Sequence, residues 1–403
     1  MSEFNSINDA IRQFKAGKMI IVVDDEDREN EGDFIIAGEL ATPDDINFMM
    51  KEGRGLICVP ISREISNRMH LSPMVSQNTS IHETAFTVSV DAVKNTTTGI
   101  SAADRWETLQ VILNESSEPG ELARPGHMFP LVSKEGGVLQ RAGHTEAAVD
   151  LAVLSGLKPC SVLVEIVDED GTMARGKRLN EIADKFGYPI ITIADLIKFR
   201  RHNEKIIEEL TNIPFPTAQG DFSLKLFEDK IHGDHHVAII KGEIDESKEA
   251  LVRVHSQCLT GDIFGSLRCD CGEQLSAALD KIEEEGCGVL VYLRQEGRGI
   301  GLKNKILAYQ LQDSGLDTVE ANNQLGFQAD LREYGIGAQI LLECGVKKIK
   351  LLTNNPRKLV GLDGFKLEIV DRIPLEISSN KHNRNYMKTK RDKLGHLLLE
   401  NLE

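Results

Sequence analysis

Three cysteines, Cys258, Cys269 and Cys271, stand in a C-x10-C-x-C spacing within RVHSQCLTGDIFGSLRCDCGEQL. Three thiolates hold a tetrahedral zinc ion with one corner left open for water, the arrangement of a catalytic site. A structural site closes that corner with protein, and no CxxC pair occurs anywhere in the chain. His255 is the residue placed to close it, so spacing alone leaves both sites open. Unrelated core thiols are a weaker reading, because Asp262, Arg268 and Asp270 make the segment polar. EGRGIGL (residues 296–302) offers backbone N–H groups that suit phosphate; an ordinary strand-to-helix connection would look the same. Asp330 and Arg332, and Lys358 after a proline turn, are either site residues or solvated charges.

The other half opens on a different chemistry. DDEDRENEGD (residues 24–33) packs seven carboxylates into ten residues, around a single arginine, Arg28. Such crowding is costly without compensating cations or solvent. A solvated turn is the simplest explanation, but the run follows directly on an apolar strand. Mg²⁺ takes oxygen from one or two carboxylates and keeps exchangeable waters, and an adjacent arginine can hold an anionic group. RPGHMFPL (124–131) and RAGHTEAAVDL (141–151) each place a histidine after a glycine, where backbone approaches a ligand closely. Glu165 interrupts the apolar run SVLVEIV, where an unpaired carboxylate is costly unless it alternates toward solvent.

The elements that must position these residues are partly legible. A helix is expected over residues 7–16, with Ile7, Ile11 and Phe14 on one face, and strands over 19–23, 56–60, 84–90 and 162–167. Helices are expected over 102–114 and 146–154. In the second half strands are expected over 288–294 and 348–353, and helices over 273–285, 303–313 and 330–344. The charged stretch 199–209 followed by Pro214 and Pro216 marks a domain boundary, giving domains 1–204 and 205–403. The expected class is mixed α+β and α/β: two consecutive globular domains, each a mixed sheet packed with helices.

At 403 residues the chain exceeds one ordinary core. The net charge of −16 argues against general affinity for nucleic acid or anionic membrane. Phosphates must then be met by local cations, backbone N–H groups or metal. No apolar run is long enough to span a bilayer and the first residues lack a signal core, so the expected location is the cytoplasm.

Residues 1–204 resemble the 3,4-dihydroxy-2-butanone 4-phosphate synthases, through DDEDRENEGD, TTTGISAADR (96–105), RPGHMFPL and RAGHTEAAVDL in that order. The resemblance implies conversion of D-ribulose 5-phosphate to L-3,4-dihydroxy-2-butanone 4-phosphate and formate with Mg²⁺ or Mn²⁺. It implies Glu29 and His144 as metal ligands. Arg28, Glu29, Asp33, Arg141, Ala142, Gly143, His144, Thr145 and Glu165 would hold substrate, and His127 and Glu165 would be needed for catalysis. Enolisation requires a base and positive charge near the enediolate. Cys58 matches a position near substrate, or packs in the core. A homodimer through this domain is also implied.

Residues 205–403 resemble GTP cyclohydrolase II through RVHSQCLTGD, FGSLRCDCG, RQEGRGIGL, ADLREYGIGAQIL, TNNPRK and the tail NRNYMKTKRDKLGHLL. The implied reaction opens the imidazole ring of GTP and releases formate and pyrophosphate. Its product is 2,5-diamino-6-ribosylamino-4(3H)-pyrimidinone 5′-phosphate. By position, Cys258, Cys269 and Cys271 would bind Zn²⁺, with Mg²⁺ aiding pyrophosphate handling. Arg253, Val254, His255, Ser256, Gln257, Gln274, Glu296, Gly297, Arg298, Thr318, Thr353 and Lys358 would contact GTP. Asp330 matches the proton acceptor and Arg332 the nucleophile toward the α-phosphate; a guanidinium stays protonated, so electrostatic stabilisation is the safer role. Tyr309 matches a tyrosine near the purine. Gln257 departs from the glutamate common in that family. The competing readings are an inactive N-terminal scaffold and a zinc module that binds nucleic acid through the basic stretch 381–393. The acidity and 5% aromatic content count against the latter.

Overall fold

The computed structural model describes residues 4–26, 28–327, 332, 334–355, 358, 362 and 365–397. The chain divides into two compact units, Met1–Asn203 and Glu204–Glu403. Each is built on a seven-stranded mixed sheet.

The first unit's strands are β1 (Ile20–Val23), β2 (Gly32–Ala37), β3 (Cys58–Ile61), β4 (Val90–Ala92), β5 (Leu122–Val132), β6 (Ser161–Glu165) and β7 (Ile190–Thr192). They lie in the order β4-β5-β3-β6-β2-β1-β7. The alternation of strand side chains splits them between two cores. Ile21, Phe34, Ile36, Val59, Val162 and Val164 enter one cluster. Ile20, Val22, Ile35, Ala37, Leu163 and Ile191 enter the other. Both faces are therefore covered, which is why the strands read as unbroken apolar runs. Ser6 caps the first helix, Ile7–Lys15, which buries Ile7, Ala10 and Phe14. A buried helix, His144–Leu154, packs over β2, β3 and β6.

One expected strand is absent. Of the expected 84–90, residues 84–89 make only isolated bridges, Pro73 to Thr87 and Phe86 to Leu131, before β4 begins at Val90. Thr87 N–H donates to the Pro130 carbonyl at 3.0 Å, but Pro130 has no N–H to extend a ladder.

The second unit holds β8 (Ile207–Pro216), β9 (Asp221–Asp229), β10 (His235–Lys241), β11 (Glu249–Ser256), β12 (Gly288–Leu293), β13 (Lys348–Leu352) and β14 (Glu368–Ile373). Their order is β14-β13-β11-β12-β10-β9-β8. Strands β11 to β14 pair in parallel and β8 to β10 join antiparallel. The helix Cys271–Glu285 buries Ala278, Leu279 and Ile282 against this sheet and ends at Gly286, which takes the left-handed conformation (φ 74°). The helix expected over 330–344 is described as Gly335–Glu343. No helix among the described residues is long and apolar enough to cross a membrane.

Candidate active sites

In the first unit the site forms at one end of the sheet. Register pairs Asp33 with Val22 on one side and with Glu165 on the other, so two carboxylates sit side by side. Glu165 ends β6, and its Oε2 accepts from the Leu56 N–H at 2.8 Å. Burial pushes Asp33 up to about 7, and the neighbouring Glu165, Glu29 and Glu31 charges add to it against the pull of His144. The acidic loop is a turn that is solvated only in part, with Asp25 and Glu26 exposed. Asp24 is buried and accepts from the Arg28 guanidinium at 2.8 Å and from the backbone N–H groups of Glu29 and Glu31. Arg28 also pairs with Glu29 at 2.8 Å.

Asp24, Glu29 and His144 bring one ligand atom each within 4.8 Å of one another. Burial raises Glu29, but hydrogen bonding to His144 and the Arg28 charge outweigh it and hold the carboxylate at about 2. Burial depresses His144, yet Asp33 and Glu29 carry it to about 9. Its Nε2 meets the Val22 carbonyl at 3.1 Å, leaving Nδ1 toward Glu29 at 3.7 Å. This is a hard, anionic oxygen-and-nitrogen donor set that fits a divalent cation. Sequence reasoning missed Asp24, because nothing in the run of carboxylates says which of them folds inward.

A cavity of about 450 Å³ opens beside this cluster, lined by Arg28, Glu29, Asp33, Arg141, His144, Thr145 and Glu165, together with Cys58, His82 and Thr84. Arg141 is fastened by Glu146 at 2.6 Å and by the His82 carbonyl at 2.8 Å. Gly143 leaves room for the Arg141 guanidinium, which would have to shift from a Cβ standing 2.4 Å away. It caps the N-terminus of His144–Leu154, and His144 and Thr145 of that first turn line the cavity, so the positive end of the helix dipole lies at its wall. Ala142 and Gly143 shape this turn without lining the cavity. Burial pushes the Cys58 thiol far up, removing it as a nucleophile.

His127 does not line that cavity. Its Nδ1 lies 2.7 Å from Asp91 Oδ2 and its backbone N–H donates to Asp91 Oδ1 at 2.8 Å. Gly99 (φ 86°) makes room for the pair, because a Cβ would fall 2.1 Å from the Asp91 carboxylate. Asp104 ties that loop down through Thr97 and the Gly99 N–H.

The second unit gathers its residues at the carboxyl ends of parallel strands, where open sheets of this kind bind ligands. Cys258 follows β11, Glu296 follows β12, and Thr353 and Lys358 follow β13. The Cys258, Cys269 and Cys271 sulfurs lie within 4.8 Å of one another, with Cys258 and Cys269 at 3.7 Å. Gly261 leaves the space they need: a Cβ would come 2.8 Å from Cys269 Sγ and 3.1 Å from Cys258 Sγ. Hydrogen bonds from the other two thiols draw Cys258 strongly down, aided by Lys305, while Cys269 and Cys271 are raised. A soft, partly ionised three-sulfur set fits zinc. His255 does not join it. Its Nε2 meets Asp262 at 3.1 Å, and Asp262 also takes the Cys258 N–H and the Tyr292 hydroxyl.

Two adjoining cavities share Ser256, Cys271, Arg298, Arg332 and Tyr386. One holds the three cysteines with Gln257, Glu296, Gly297, Tyr309 and Thr318. The other collects cations and donors: Arg253, His255, Gln274, Thr353, Lys358, Lys390 and His396. Arg253 is buried, donates to the Leu352 carbonyl and to Gln274, and keeps an unpartnered Nε. Lys358 Nζ donates to the Val254 carbonyl at 2.7 Å; the Val254 side chain itself is core, packed near Gly337. Consecutive left-handed residues, Gly297 and Arg298, build the turn after β12; the non-glycine member is strain of the sort kept at functional sites. Asp330 lies outside the described residues. Lys305, Lys390, Tyr386 and His396 were not singled out from sequence, because only the fold brings these helix and tail residues to the cysteines.

Two metal-suited donor sets, each beside a cavity at a sheet end, define a two-domain enzyme with separate reaction centres. Residues 8–199 match the family model for 3,4-dihydroxy-2-butanone 4-phosphate synthase, and residues 208–374 that for GTP cyclohydrolase II. The riboflavin biosynthesis protein RibBA of Bacillus mycoides is 57% identical over 98% of this chain and 99% of its own length. That of Bacillus cytotoxicus is 56% identical with the same coverage. A solved structure of RibBX, a two-domain 3,4-dihydroxy-2-butanone 4-phosphate synthase from A. baumannii, superposes with a TM-score of 0.70 at 37% identity, covering 93% of this chain and 100% of that one. The chain belongs to the RibBA family of riboflavin biosynthesis proteins, in which a synthase domain, a lyase, precedes a GTP cyclohydrolase II domain, a hydrolase.

Proposed function

We propose that both centres work: the first unit converts D-ribulose 5-phosphate to L-3,4-dihydroxy-2-butanone 4-phosphate and formate, and the second converts GTP to 2,5-diamino-6-ribosylamino-4(3H)-pyrimidinone 5′-phosphate, formate and pyrophosphate. The observation that carries this is the pair of intact donor sets, Asp24–Glu29–His144 and Cys258–Cys269–Cys271, each opening on its own cavity.

In the first unit the N-terminus of His144–Leu154 and Arg141 receive the sugar phosphate. Mg²⁺ or Mn²⁺ on Glu29, His144 and Asp24 would supply positive charge beside the enediolate. Asp33, held near 7 by burial, can take and return a proton at neutral pH, with Glu165 paired beside it across the sheet. His127 does not line its own unit's cavity, and it is oriented by Asp91, with exposed Val93 two residues beyond Asp91 and exposed Ile100 next to Gly99. We assign it to the cavity of a second copy, in a homodimer formed through the first unit. Mixing a His127→Ala chain with a Glu165→Gln chain tests this: recovered activity supports sharing, and none refutes it.

In the second unit the cationic cavity takes the triphosphate and the cysteine cavity takes the purine. Zinc on the three cysteines would supply Lewis acidity for water attack at C8. Arg332 lines both cavities and stabilises the α-phosphate charge; Asp330 is assigned the proton acceptor by position. Tyr309, hydrogen-bonded to Thr260 at 3.2 Å, bounds the purine side. Mass spectrometry of products from each substrate separately tests the whole reading. Cys269→Ser should end GTP ring opening and spare the ribulose 5-phosphate reaction. His144→Ala should do the reverse. Loss of both activities in either variant refutes two independent centres.

A further inference from the structure

Lys305 lies in the helix Gly301–Asp313 with its side chain buried. Its Nζ stands 2.7 Å from Glu296 Oε1 and 3.0 Å from Cys258 Sγ. Lysine is seldom buried without a partner, and Glu296 alone would neutralise it. The second contact asks for a different explanation, because it spends a charged N–H on a sulfur assigned to zinc. Glu296 is itself committed, accepting from the Leu259 N–H at 2.7 Å and from the Gly297 N–H at 2.9 Å. Leu259 follows Cys258 directly, so Lys305 and Glu296 together fix both the sulfur and the backbone of the first cysteine.

Three thiolates give a dipositive ion a net negative site, which weakens its power to acidify water. Partners one shell out from the ligands commonly correct this. We propose that Lys305 is a positioning residue of the cyclohydrolase centre, donating a charge-assisted hydrogen bond that draws electron density from the Cys258 thiolate. The sulfur thereby gives less charge to the ion, which stays a stronger Lewis acid. The inference rests on the zinc assignment made above, and goes beyond it by giving the site a tuning charge.

The test replaces zinc by Co²⁺ in the full-length chain and records the sulfur-to-cobalt charge-transfer band. Lys305→Met should move the band to lower energy, because a sulfur without its hydrogen bond holds its electrons less tightly. Lys305→Arg should stay nearer the parent. With zinc restored, kcat for GTP should fall by roughly 10- to 100-fold in Lys305→Met, with KM changed by less than about 2-fold, as expected for an effect felt only in the transition state. Lys305→Met also strands Glu296, so Lys305→Met combined with Glu296→Gln removes both charges. If the single variant fails to bind Co²⁺ and the double variant binds it, the double variant's band decides. A band that neither variant moves overturns the role of Lys305. A parent chain with no such band overturns the thiolate site itself, and this proposal with it.

Discussion

Substituting Gly261 by alanine tests the zinc centre with one carbon atom. Gly261 lies in the short helical turn Leu259–Asp262 and has no positive φ, so alanine meets no backbone penalty. The penalty is entirely spatial. The added methyl would stand 2.8 Å from Cys269 Sγ, 3.1 Å from Cys258 Sγ and 3.1 Å from Cys271 Cβ. Comfortable contact begins near ~3.5 Å, so the overlaps are roughly 0.4–0.7 Å on both sulfurs at once. Overpacking of this kind costs about 1–3 kcal/mol. If the sulfurs move apart to relieve it, the cost falls on metal binding. At about 1.4 kcal/mol per decade that is roughly a 5- to 150-fold loss of zinc affinity. The assay is zinc competition against a chromophoric chelator, run with GTP ring opening on the same preparations. Gly120→Ala is the control, since a Cβ there meets nothing within 4 Å. The ribulose 5-phosphate reaction should be unchanged in both variants. Parental zinc affinity and GTP turnover in Gly261→Ala would falsify the reasoning, since three sulfurs crowded by a methyl could not then be holding the ion.

Asp91→Asn keeps an acceptor for the His127 backbone N–H but removes the carboxylate from the ring; the ribulose 5-phosphate rate should fall by about 100-fold or more with GTP turnover intact, and an unchanged rate would dismiss the dyad. Lys390→Met strands the buried Asp270, its partner at 2.5 Å, and should cost the second unit about 3–5 kcal/mol in chemical denaturation; a loss under about 1 kcal/mol would mean the pair behaves as if exposed. Burial, with the Lys390, Arg298, Arg332 and Lys358 charges, holds His396 down at about 3 against an ordinary 6.5. Below about 6.5 the unfolded chain therefore binds a proton that the folded unit refuses, so stability is complete above that pH and drains away as pH falls toward 3. The second unit's Tm should drop between about pH 7 and pH 5, and His396→Gln should flatten that slope; an equal slope in the variant would rule His396 out as its source.

Donor chemistry was legible because it rides on residue type and short spacing: three thiols within fourteen residues (258–271), and histidines placed after glycines. Strands such as Ile20–Val23 were legible as short apolar runs buried on both faces, and helices such as Ala102–Leu113 because one face is buried at helical spacing. Residues 84–89 misled for the same reason: they look like strand, and the missing N–H of Pro130 is the neighbour that breaks the ladder. What the sequence by itself determined is therefore which atoms could hold metal and phosphate, and the mixed architecture that carries them. Only the tertiary structure decided which carboxylate of the acidic run turns inward to Glu29 and His144, that His255 serves Asp262 instead of closing the cysteine site, and that His127 pairs with Asp91 without lining its own unit's cavity. It alone brought Lys305 to Cys258, 47 positions away, and Lys390 to Asp270, 120 away. Such contacts leave no local signature, because a charge is recruited to a site by the packing of distant elements and not by its neighbours along the chain.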